Sequence, residues 1–133
     1  MAVSLPDDDA CIAQARHLAA DFLARVRAEQ DVSVSARAVD LTQLVVSELV
    51  TNARKYAPGP LSMELAVADG TVDVTVRDSA RARPAARAVD PGRVGQHGLE
   101  IVMAVAQEFQ VLLEPTGKRV TARIALSDGP TAA

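Results

Sequence analysis

The chain has 133 residues, 49% of them hydrophobic and only 2% aromatic, with a formal net charge of −3 and a single cysteine, Cys11. That length suits one domain with a core of Val, Leu, Ile and Ala, and the lone cysteine excludes a disulfide framework or a multi-cysteine zinc site. Scarce aromatics and an acidic balance argue against direct nucleic-acid binding by stacking or bulk charge; no apolar run approaches the roughly 20 residues of a membrane span; and the acidic start lacks the apolar segment of a secretory signal, so a cytoplasmic protein is expected.

Residues 1–9 read as a flexible start, in which Pro6-Asp7-Asp8-Asp9 sets acids where a helix N-terminus favours them. From Ala10 to about Glu29, Ile12, Ala15, Ala19, Phe22, Leu23 and Val26 recur at helical spacing. His17 on this helix reads as a surface histidine, since no second ligand lies near it in sequence. A second helix follows, capped by Ser33 or Ser35 or opened by an Asp40–Gln43 box. The earlier start is favoured because Ala36, Arg37 and Ala38 are good helix formers. Pro58-Gly59-Pro60 ends it at Tyr56 or Ala57.

The centre of that helix, Leu41–Ala57, carries the first chemical signal. At 100° per residue, Leu41, Leu44, Val45, Glu48 and Asn52 fall within about a third of the circumference. Glu48 and Asn52 then lie one turn apart near the middle of an apolar stripe. A carboxylate buried without a partner costs several kcal/mol or more, so the pair calls for one.

Two strands come next. Leu61, Met63, Leu65 and Val67 alternate with smaller or polar residues, as do Val72, Val74 and Val76, and Asp69-Gly70 between them is a hairpin signal. Residues 78–97 lose all periodicity and interleave Arg81, Arg83, Arg87 and Arg93 with prolines and glycines, the pattern of a functional loop. Gly98-Leu99 opens a third helix running to near Phe109; Val111–Glu114 is a short strand, Pro115-Thr116-Gly117-Lys118 a turn, and Arg119–Leu126 a last alternating strand. Residues 127–133 read as a flexible tail. The order predicts an α+β fold, a two-layer α/β sandwich whose mainly antiparallel sheet is covered by helices on one face. No exposed apolar stripe that would demand a dimer is visible.

Asp78 leaves the end of a strand, where a carboxylate can accept from an exocyclic amine or ligate a metal. The arginines of the loop suit phosphates. Gly95-Gln96-His97-Gly98-Leu99 enters a helix, where glycines let backbone N–H groups approach a phosphate. Together with Glu48 and Asn52 these describe a nucleotide site, although neither a P-loop nor a Rossmann fingerprint is present.

Ser47-Glu48-Leu49-Val50-Thr51-Asn52-Ala53 resembles the N box of the GHKL (Bergerat-fold) ATPase/kinase superfamily, nearest to the small bacterial anti-sigma-factor serine/threonine kinases. The resemblance covers about residues 10–126 and makes residues 79–97 the ATP lid. It implies ATP and Mg²⁺ as ligands, with Glu48 as catalytic base or water-orienting carboxylate and Asn52 as the Mg²⁺ ligand. Asp78 would match the aspartate that reads the adenine amine, while Gly95, His97, Gly98 and Leu99 would match the phosphate-binding G2 box. It further implies a sigma factor and an anti-anti-sigma (STAS-type) protein as partners, and a possible homodimer. The family's Asp-x-Gly-x-Gly stands here as Asp78-Ser79-Ala80-Arg81-Ala82 without either glycine, Tyr56 stands where relatives often have His, and His97 where they often have Arg. Cβ atoms at Ala80 and Ala82 are expected to reshape the adenine pocket. The alternative function is therefore a partner-binding module with weak or lost ATP binding.

Overall fold

The computed structural model describes residues 1–6, 8–56, 59–78 and 96–127, with only the backbone of Tyr56, Gln96 and His97. In chain order its elements are β1 (Ala2–Leu5), α1 (Cys11–Glu29), α2 (Ala36–Tyr56), β2 (Leu61–Ala68), β3 (Thr71–Arg77), α3 (Gln96–Val105), β4 (Glu108–Glu114) and β5 (Gly117–Ala125). The five strands form one antiparallel sheet in the order β1-β2-β3-β5-β4. This is the α+β sandwich expected from the element order.

Local chemistry explains most boundaries. Asp69 and Gly70 both take positive φ, 51° and 79°, the geometry of a tight turn whose twist matches the flanking strands. The serine that caps α2 is Ser35: its Oγ accepts the Ala38 N–H at 3.0 Å. Ser35 also donates its N–H to the Leu126 carbonyl at 2.8 Å, which ties the start of α2 to the end of β5.

Alternation puts one face of each central strand against the helices. Leu61, Met63 and Leu65 of β2, Val72, Val74 and Val76 of β3, and Ala122 and Ile124 of β5 are all buried. Cys11, Ala15, Ala19 and Leu23 of α1 join the same core at helical spacing. The other sheet face is polar. Thr75 and Thr121 hydrogen-bond across β3 and β5 at 3.0 Å, and Asp73 accepts from Arg123 at 2.8 Å. That hydrogen bond, with the charges of Asp73 and Glu108, makes the Arg123 guanidinium hold its proton more tightly than usual.

Three expectations need correction. Residues 2–5 are an edge strand rather than a loose start. The Met1 ammonium donates to the Leu65 carbonyl and the Leu65 N–H returns a bond to Met1, each at 2.9 Å, and Leu5 is fully buried. Four residues are too few to reveal a period of two; the free edge of β2 recruits them.

The third helix stops at Val105, short of Phe109. The Gln107 N–H donates to the Arg123 carbonyl at 2.7 Å, drawing residues 108–114 onto β5. Phe109 then faces Ala122 across the ladder.

Finally, β4 does leave an apolar stripe in solvent: Val111 and Leu112 are half exposed and Leu113 is 80% exposed. No helix among the described residues is long and apolar enough to cross a membrane. Most of the loop expected as a lid, residues 79–95, and the tail from 128 onward lie outside the described residues.

Candidate functional site

Helix α2 carries Glu48 and Asn52 toward the end of the sheet where β3 stops. Its buried residues are Ala38, Thr42, Val45, Val46, Leu49, Val50 and Ala53. Those positions share one arc, and Glu48 and Asn52 sit on its border rather than in the middle of the apolar stripe. Leu41 and Leu44, which suggested the stripe, are only partly buried. Border placement leaves Glu48 only partly buried and avoids the full cost of desolvating a carboxylate. Thr42, the one buried polar residue among those described, returns its hydroxyl to the Ala38 carbonyl at 2.7 Å.

Asn52 is different. Its Oδ1 is buried and accepts no hydrogen bond from any described residue. Such an acceptor gives up its bulk-water bonds on folding, a deficit that calls for a ligand, an ion or an ordered water. It is the only buried side-chain oxygen or nitrogen among the described residues without a hydrogen-bond partner.

Around it lies a small cavity lined by Leu49, Asn52, Ala53, Val76, Asp78, Leu99, Lys118 and Val120, with a volume of about 10 Å³. That is room for about one water. Three sequence-predicted residues, Asn52, Asp78 and Leu99, thus share one chamber. A wider groove of about 330 Å³ lies against Arg37, Leu41, Val105 and Gln107, and contains none of the candidates.

Asp78 extends the β3–β5 ladder by one step. Its N–H donates to the Lys118 carbonyl, and its Oδ1 accepts the Lys118 N–H, both at 3.0 Å. Glu48 reaches the first turn of α3, where its Oε1 lies against Gly98: a methyl group on that glycine would overlap the oxygen and stand 3.4 Å from the carboxyl carbon. Glu48, Asn52, Asp78, Gly98 and Leu99 are therefore gathered at one end of the sandwich. His97 contributes its backbone to the same first turn of α3, and Gly95 lies outside the described residues.

The residues that sequence patterning passed over are Gly117 and Lys118. They read as part of an ordinary turn, and only the pairing of β5 with β3 carries them to Asp78. No group of three or more His, Cys, Asp or Glu that would hold a metal by itself occurs among the described residues. His17 is exposed, as expected.

A histidine kinase-like ATPase domain model matches residues 5–124, nearly the whole chain. The chain belongs to that family. An ATPase domain implies ATP binding, and the orphaned oxygen of Asn52, in the chamber it shares with Asp78, is consistent with it.

Among solved structures, the RsbU and RsbW domains of Rv1364c from Mycobacterium tuberculosis superpose with a TM-score of 0.67 at 18% identity, over 97% of this chain and 33% of that one. A blue-light activated histidine kinase, EL346 of Erythrobacter litoralis, gives 0.55 at 26% identity, over 70% of this chain and 32% of the other. The Acinetobacter baumannii histidine kinase AdeS gives 0.53 at 12% identity, over 96% and 68%. The chain spans about a third of the length of the first two. A comparison with curated protein sequences finds no match.

Proposed function

We propose that this chain is an ATP-dependent serine/threonine protein kinase of the anti-sigma-factor type, which phosphorylates a serine of a STAS-type anti-anti-sigma partner and sequesters a sigma factor. The supporting observation is the buried, unpartnered Oδ1 of Asn52, on the chamber wall that also holds Asp78 and one helical turn from Glu48. The resemblance of the N box to those kinases and the superposition on a protein with an RsbW domain point the same way.

In this reading Asn52 offers its oxygen to Mg²⁺, a hard cation that prefers oxygen ligands. Asp78, held by β5, accepts from the adenine amine. The first turn of α3, with Gly98 and Leu99, lies against the phosphates, with Gly95 and His97 completing that stretch. Magnesium, when bound, neutralises charge on the phosphate oxygens. Glu48 takes the proton of the incoming serine hydroxyl while the serine oxygen bonds the γ-phosphorus and the bond to ADP breaks. Phosphoryl transfer depends mainly on positioning and charge, so these few groups suffice.

A second reading, a partner-binding module with weak nucleotide affinity, has its own observation. The chamber of about 10 Å³ is far smaller than a purine, and its walls must separate before a base enters. Melting with and without Mg-ATP distinguishes the two. A ligand at 100 times its dissociation constant stabilises by about 2.7 kcal/mol. The kinase reading expects that shift, and phosphate transfer to a partner serine that is lost in Glu48→Ala while ATP still binds. No shift at millimolar ATP favours the module, and transfer at the wild-type rate by Glu48→Ala removes Glu48 as the base.

A further inference from the structure

The family pattern sets two glycines just after the adenine-reading aspartate, and this chain has Ala80 and Ala82 there. The structure brings a glycine to the same aspartate from elsewhere. Gly117 opens β5 with φ of 151°, a backbone state that disfavours any side chain. A Cβ at that position would stand 2.8 Å from Asp78 Oδ1 and 2.9 Å from the Asp78 carbonyl carbon, and would overlap the Asp78 carbonyl oxygen. Only a residue without a side chain lets the two backbones close. That closeness makes possible the paired bonds of Asp78 N–H to the Lys118 carbonyl and Lys118 N–H to Asp78 Oδ1.

We infer that Gly117 is a positioning residue for Asp78 and acts as a specificity element for a purine bearing an exocyclic amine. It meets Asp78 from the opposite strand, in a chain that lacks both glycines after that aspartate. The inference rests on the nucleotide-site reading above. Held by the Lys118 N–H, the carboxylate keeps one orientation toward the chamber that Lys118 also lines. A methyl group at 117 pushes the strand off Asp78 and breaks the two bonds to Lys118 that set the carboxylate's orientation. The cost falls on recognition of the base rather than on the phosphates, because Asn52 and Gly98 lie on α2 and α3, not on this turn.

The test compares affinity for Mg-ATP and for Mg-inosine triphosphate, which carries a carbonyl oxygen in place of the exocyclic amine, in wild type and in Gly117→Ala. A hydrogen bond to a charged acceptor accounts for a preference of roughly tenfold or more for ATP in the wild type. In Gly117→Ala that ratio falls to near one, with affinity for the inosine nucleotide little changed. Wild-type binding of ATP with the ratio unaltered in Gly117→Ala overturns this inference alone. Failure of the wild type to bind either nucleotide overturns the nucleotide reading and the inference with it. Should Gly117→Ala not fold, the Lys118 amide proton of the wild type is followed by NMR. It shifts with ATP and little with inosine triphosphate if the carboxylate it holds reads the amine, and equal shifts overturn the inference.

Discussion

Replacing Gly98 by alanine is predicted to make the protein more stable and less active. Gly98 lies in α3 with no positive φ, so alanine fits the backbone, and the exchange gains up to about 1 kcal/mol of helix propensity. For a chain of this size that raises the melting temperature by about 2–5 °C. The new methyl group overlaps Oε1 of Glu48 but stands 3.4 Å from its Cδ and 4.0 Å from its Cβ. Only the tip of a flexible side chain must therefore yield, and the packing beneath it is spared. Moving a carboxylate on the order of 1 Å from its working position costs about 100-fold in rate.

Turnover and Mg-ATP affinity are measured together for Gly98→Ala, Glu48→Ala and the double variant. If the methyl group acts through Glu48, the second substitution adds little to the loss from the first, a strong non-additivity. Losses that multiply, or a lowered melting temperature, refute this account of Gly98. A fall in ATP affinity as large as the fall in turnover assigns the glycine to the phosphates alone.

The other predictions concern single sites. Asn52→Ala removes an orphaned buried acceptor, so the ligand-free protein melts no lower than wild type, whereas Mg-ATP binding measured by calorimetry weakens at least about tenfold; a destabilised ligand-free protein with unchanged binding contradicts the assignment. Leu5→Ala opens a cavity under β1 and costs about 2–4 kcal/mol in urea unfolding, where a loose N-terminus would give a value near zero. Ser35→Ala removes the cap of α2 and costs about 1 kcal/mol by the same measurement. If Ser33 were the cap instead, the Ser35 exchange would be nearly silent.

Local chemistry in the sequence was enough to define both long helices, the β2–β3 hairpin and the N box. Helical spacing, a serine before Ala36, a Pro-Gly-Pro stop and Asp69-Gly70 act within a few residues and need no tertiary partner. Alternation likewise identified the buried faces of β2, β3 and β5. What lay beyond reach depended on pairing between distant segments. Residues 2–5 became a strand because β2 had a free edge, and residues 108–109 left the helical pattern because β5 offered a ladder. Periodicity alone also misjudged the setting of Glu48 and Asn52, since which arc of α2 is buried is decided by where α1 and the sheet lie. Gly117 was legible as a turn residue but not as a neighbour of Asp78, because 39 positions of chain separate them and only the β3–β5 register closes that distance. The residue types of the site were written in the sequence; the contacts that orient its two carboxylates, one against Gly98 and one against Gly117, exist only once the sandwich has closed.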